Sequence, residues 1–140
     1  MINAQEKAAA RNNPQSPRGA NIMVCVTNQK SCDKLIARGV ERAGSGAKLF
    51  VVHCVQTGHN FMGTPFEGDA IEYLFTAAQL AGAGLDLLRA KDVENALVDY
   101  ALAHDITLMV LGAPSRGSRG DSIVSKLQRR LLHVEFDIVS

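Results

Sequence analysis

The chain has 140 residues, of which 46% are hydrophobic and 21% charged, and its formal net charge is +1. That length suits one domain able to bury an apolar core without a disulfide or metal staple. The near-neutral balance supplies no long-range field for nucleic acid or a membrane surface, so function is expected from a local site.

Residues 1–20, "MINAQEKAAARNNPQSPRGA", are rich in Ala, Asn, Gln, Ser and Pro and show no apolar period. A mobile N-terminal arm is expected there, with the folded domain over 21–140. The same segment lacks the apolar centre of a signal peptide. Together with an odd set of 3 cysteines, this points to a reducing cytoplasm. No apolar run reaches the ~20 residues of a membrane span.

Along the domain, "NIMVCV" (21–26) and "KLFVVHCV" (48–55) are unbroken apolar runs, "LDLLRA" (85–90) is a weaker one, "ITLMVLG" (106–112) is strong, and "VEFDIVS" (134–140) alternates. These are five predicted strands. Helical periods lie between them. Leu35, Ile36, Gly39 and Val40 share a face after a Ser31 cap, and Ile71, Leu74, Phe75 and Ala78 share another, which places Phe75 and Ala78 in the core. Val93, Ala96, Leu97, Tyr100 and Ala101 follow an Asp92 cap, and Ile123, Val124, Leu127 and Leu131 follow Ser122 or Asp121.

Strict alternation of strand and helix predicts an α/β fold, a three-layer doubly wound parallel sheet, because parallel neighbours need crossover connections. The continuous runs belong in the centre and the weaker ones at the edges, giving the order 3-2-1-4-5. In that order the winding reverses between the first and fourth strands, where open α/β sheets bind ligands. The crevice is bounded by "TNQKS" (27–31) and "LGAPSRGSRGDS" (111–122).

The second of these segments leads into the last helix, whose first N–H groups lack partners and carry the positive end of the helix dipole. Gly112, Gly117 and Gly120 permit close approach of a phosphate. Ser115, Ser118 and Ser122 offer hydroxyls, and Arg116 and Arg119 offer positive charge. Thr27 and Asn28 face the same crevice from the first strand, with Val26 and Val55 as walls for a base. The plainer reading of the loop is a flexible strand-to-helix connection. It is neither a Walker A motif nor GxGxxG.

The layout, with its Gly-rich stretch between fourth strand and last helix, resembles the universal stress protein family. The segments "NIMVCVTNQKSCDKLIARGVERA", "AKLFVVHCV" and "DVENALVDYALAHDITLMVLGAPSRGSRGDSIVSKLQRRL" look most like the stress-protein domain of KdpD-type potassium sensor kinases. The resemblance implies a Rossmann-like fold of the adenine nucleotide alpha hydrolase-like kind. It further implies a nucleotide-binding regulatory module of the stress response rather than an enzyme, with ATP and magnesium, AMP or cyclic di-AMP as ligand. Nucleotide-binding members carry G-x2-G-x9-G-S/T. Here Gly112 matches the first glycine, Ser115 stands at the second, the spacer is shorter, and "GDS" (120–122) closes it; Thr27 and Asn28 replace the aspartate that commonly follows the first strand. "FTAAQ" (75–79) is similar to a Phe-Thr-Ala segment of the cyclic di-AMP subset, with Gln79 where a tyrosine is expected. The resemblance also implies a homodimer through the C-terminal strand, 134–139, and a potassium-transport or sensor-kinase partner. The alternative is a ligand-free interaction module working through that edge or a partner protein.

Other residues carry less. Cys25 and Cys54 read as core thiols. Cys32, at a helix start, sits where a thiol pKa is lowered, yet no resolving cysteine or CxxC accompanies it. His53, Cys54 and His59 are close in sequence, but a strand sends the first two to opposite faces and no zinc-site spacing follows. A receiver domain needs acids after the first and third strands, where this chain has "VTNQKS" and "LLRAKD". "RGD" (119–121) receives no role, and without a GxSxG elbow the serines and His104 make no triad.

Overall fold

The computed structural model describes residues 15–27, 29–114 and 122–140, apart from the side chains of Gln29 and Lys30. The elements are β1 (Asn21–Cys25), α1 (Gln29–Ala43), β2 (Lys48–Gln56), a 3₁₀ turn (Phe61–Gly63), α2 (Glu67–Leu80), β3 (Gly84–Ala90), α3 (Val93–Ala103), β4 (Leu108–Gly112), α4 (Ile123–Arg130) and β5 (Glu135–Val139). All pairings are parallel and the order is β3-β2-β1-β4-β5, as the alternation predicts.

The central strands are apolar throughout because helices cover both faces of the sheet. Ile22, Val24 and Val26 point into a core shared with α1 and α2, whereas Met23 and Cys25 point into one shared with α3 and α4. Register brings Cys25 opposite both Val52 and Leu111, and Gly112 opposite Val139. A Cβ on Gly39 would stand 2.5 Å from Val24 Cγ2, so it is a glycine that lets α1 lie close over β1.

Three sequence expectations need correction. The inner face of α2 is Ala70, Leu74 and Ala78, and Phe75 is 55% exposed. Positions 70, 74 and 78 repeat every four residues, and with two alanines among them the helix seats close to the sheet, which turns Phe75 outward. Val40 and Ile123 likewise sit at the exposed margins of their helices. Ser31 lies inside the first turn of α1, which starts at Gln29, and is not its cap. The caps at Asp92 and Ser122 hold: each side chain accepts a bond from the N–H three residues on, Asn95 and Ser125 respectively.

The end of the sheet where the strands begin is bridged by hydrogen bonds, with a smaller hollow of about 340 Å³ beside residues 16–20. Asn21 Nδ2 donates to the His104 carbonyl at 2.8 Å, and the Thr107 N–H donates to the Asn21 carbonyl at 3.0 Å. Residues 15–20 run along the turn from α1 to β2, where the Ser16 N–H bonds the Arg42 carbonyl and the Gly19 N–H bonds the Gly46 carbonyl. On β5 the alternation holds: Val134 and Phe136 join the α3 and α4 core, while Glu135 and Asp137 face α1. There Arg42, only 6% exposed, reaches Asp137 at 2.8 Å and Glu135 at 2.6 Å, and Arg38 reaches the other oxygen of Asp137 at 2.8 Å.

Candidate functional site

Where the strands end, the molecule opens. Beyond Cys25 the connection from β1 turns into α1 on one side of the sheet, and beyond Gly112 the connection from β4 leads toward α4 on the other. The two departing chains leave a cleft of about 700 Å³ between them, within the roughly 300–1,000 Å³ range of small-ligand sites. Its floor and walls are mostly apolar: Cys25, Val26, Val52, Cys54, Leu97 and Leu111 contribute, with Leu35 from α1 and Val124 and Leu127 from α4. Polar residues also line it: Thr27, Ser31, Lys34, Ser122 and Ser140.

Of the residues expected to form the site, Val26, Thr27, Gly112 and Ser122 line this cleft together. Val55 is half-buried further along β2 and lies outside the lining; Val52 and Cys54 supply the β2 wall instead. Asn28, Ser115, Arg116, Gly117, Ser118, Arg119 and Gly120 lie outside the described residues. A Cβ built on Gly112 would meet nothing within 4 Å among the described residues, and Gly112 lines the cleft. Ser122 closes the rim as the cap of α4, its Oγ accepting the Ser125 N–H at 3.1 Å. A small polar group at a helix start beside an unobstructed glycine suits the approach of an anionic oxygen.

One wall is braced by a histidine. His53 is 2% exposed; the Met62 N–H donates to its Nε2 at 2.8 Å, which leaves the ring proton on Nδ1, and that nitrogen donates to the Val26 carbonyl at 2.7 Å. Both nitrogens are therefore occupied within the protein. Burial holds the His53 pKa below its ordinary value, so the ring stays neutral at physiological pH. Phe61 packs on it with ring centroids 5.6 Å apart, and Arg89 lies over Phe61 at 4.3 Å. Met62 itself has φ +59°, a left-handed conformation that the His53 bond helps to fix.

The cysteines behave as apolar wall. Burial, with Cys54 nearby, pushes the Cys25 thiol up to about 12, and burial raises Cys54 also. Cys32, fully buried on α1, is raised by burial and the neighbouring Asp33, against the lowering expected from its place near a helix start. None of the three is in a disulfide.

Sequence reasoning missed Lys34, Val139 and the bracing role of His53. The signal for Lys34 was present: Lys34, Arg38 and Arg42 recur every four residues and form one basic stripe on α1. Nothing local marks His53, whose partners come from β1 and from the turn after β2.

A doubly wound parallel sheet in the order 3-2-1-4-5, with flanking helices and a cleft at the reversal, defines the Rossmann-like α/β fold of universal stress proteins. Solved structures make the likeness specific. A universal stress protein in complex with cAMP superposes with a TM-score of 0.64 at 18% identity, over 89% of this chain and 98% of that one. The universal stress protein from Archaeoglobus fulgidus in complex with dAMP gives 0.55 at 17%, over 86% and 95%. A universal stress protein family member from Burkholderia pseudomallei gives 0.54 at 18%, over 86% and 95%. No protein-family model and no curated protein matches the sequence. At these identities the likeness establishes the fold.

Proposed function

We propose that this chain is a nucleotide-binding regulatory module of the universal stress protein kind, taking an adenine nucleotide into the cleft at the ends of β1 and β4. The observation that carries the reading is the cleft itself: about 700 Å³ with mostly apolar walls, polar residues among its lining, and at the junction Gly112, whose side-chain position meets no neighbour among the described residues. Two proteins of the same fold were solved with cAMP and with dAMP. The base lies between Val26 and the β2 wall, and the phosphate lies toward Gly112 and Ser122. In this reading the module acts by binding rather than by turnover.

The resemblance to the KdpD-type sensor-kinase domain makes cyclic di-AMP a ligand to set beside AMP, cAMP and ATP with magnesium, and a sensor kinase or potassium transporter the partner class. Dimerisation through β5 is part of the same reading: this strand is an outer strand of the sheet, and Ile138 on it is 38% exposed. Among the described residues no helix is long and apolar enough to cross a membrane.

Calorimetric titration with each of the four nucleotides, on the natural chain and on Gly112→Val, tests the reading. The natural chain binds at least one of them, and Gly112→Val, whose added methyls enter the cleft, keeps its circular dichroism and loses that binding. Silence of the natural chain toward all four at millimolar concentration, or undiminished binding by the variant, overturns it. Silence would favour the ligand-free interaction module.

A further inference from the structure

Two of the thiols share the cleft. Cys25 ends β1 and Cys54 lies on β2; both line the cleft wall on the α3 and α4 side of the sheet, whereas Cys32 is buried on the α1 and α2 side. Register fixes their relation: Cys25 is opposite Val52, so Cys54 stands two residues further along the same face of the neighbouring strand. Cys54 is near enough to raise the Cys25 pKa. A strand spacing of about 4.8 Å and two rises of about 3.3 Å place their Cα atoms about 8 Å apart. That is past the roughly 7 Å that a disulfide tolerates, so the pair does not close on itself.

Two such sulfurs can share an ion. With metal–thiolate bonds of about 2.3 Å, an ion between them spans about 4.6 Å, a separation that two side chains on this diagonal reach by rotating toward each other. Thiolate is a soft ligand and selects soft cations, Cu(I) among them. Among the described residues no group of three or more histidines, cysteines or carboxylates gathers to hold a metal. The donor set is therefore that of a two-coordinate soft cation, not of tetrahedral zinc or of oxygen-bound magnesium or calcium. We propose that Cys25 and Cys54 form a site for one Cu(I) ion on the wall of the cleft. As the ion binds, both S–H bonds break, two S–Cu bonds form, two protons pass to solvent and no electron is transferred. In the free chain burial keeps both thiols protonated, so the wall stays apolar until the ion arrives. The site adds a second class of ligand to the cleft and does not depend on the nucleotide reading.

The test titrates the reduced chain with Cu(I) in the absence of air, in competition with bicinchoninate, a coloured Cu(I) chelator. The natural chain is compared with Cys25→Ala, Cys54→Ala and Cys32→Ala. The natural chain and Cys32→Ala each withhold one Cu(I) per chain from the chelator, and X-ray absorption shows two sulfur neighbours at the metal. Cys25→Ala and Cys54→Ala lose the ion to the chelator. Cys54 is only partly buried, so Cys54→Ala keeps its circular dichroism and decides the matter even where Cys25→Ala fails to fold. The proposal is overturned if the natural chain withholds no Cu(I), if Cys54→Ala holds it as tightly as the natural chain, or if Cys32→Ala loses it as well. No nucleotide enters this titration, so its failure leaves the nucleotide reading standing, and silence toward nucleotides leaves the copper site standing.

Discussion

The two ends of the sheet are built on opposite plans. Where the strands begin, bonds cross between elements: the Asn21 side chain donates to the His104 carbonyl, its carbonyl accepts from Thr107, Gly19 and Ser16 are held by the α1 to β2 turn, and buried Arg42 ties the last strand to the first helix. Where the strands end, β1 and β4 send their chains to opposite sides of the sheet, and a cleft with apolar walls remains. What holds its β1 bank is chiefly one neutral histidine. The difference teaches where stability and recognition were placed: polar groups at the closed end bond one another between elements, while those at the open end border a cleft.

That contrast predicts unequal costs of mutation. The largest loss belongs to the closed side: Arg42→Met leaves the nearly buried Asp137 carboxylate with one of its two arginines, Arg38, and lowers unfolding free energy by about 3 kcal/mol, as read from urea denaturation. A loss under about 1 kcal/mol would mean that the clasp between α1 and β5 is ornamental.

A smaller effect comes from the brace on the open side. Burial depresses the His53 pKa in the folded state below its ordinary value of 6.5. The unfolded chain therefore takes up a proton that the folded chain refuses, and stability falls as pH drops below 6.5, with a slope of at most about 1.4 kcal/mol per pH unit from this group. Denaturation midpoints between pH 7.5 and pH 5, about the range in which histidine titrates, measure it. His53→Gln is less stable at neutral pH, and its stability varies less with pH over that range. An equal pH slope in both chains would remove His53 from the account.

Smallest is the rim. Ser122→Ala removes the α4 cap and costs about 1 kcal/mol, seen as a lowered denaturation midpoint. A cost as large as that of Arg42→Met would erase the distinction between the two ends.

Much of the fold was legible because its signals are local. The unbroken runs 21–26 and 48–55, the strong run ending at Gly112, and the caps at Asp92 and Ser122 each declare themselves within a few residues, and parallel connection rules then leave little choice of order. Val26, Thr27, Gly112 and Ser122 followed from that order, since a topological switch point is a property of connectivity. What stayed hidden depends on contacts between distant segments. Arg42 and Asp137 are 95 residues apart in the chain, His53 reaches back 27 to Val26, and Phe75 was misplaced because the packing distance set by Ala70 and Ala78 decides which side of α2 turns inward. Val55 belongs to the same apolar run as Val52, but lining the cleft depends on where the strand ends relative to its neighbours.

The most direct measurement of the central claim is a backbone-amide NMR titration of the natural chain with AMP. The account predicts shifts concentrated at Val26, Thr27, Gly112 and Ser122, with Ala20, Asn21 and Thr107 at the closed end unmoved. No shift at saturating nucleotide, or shifts centred on the closed end, would contradict it.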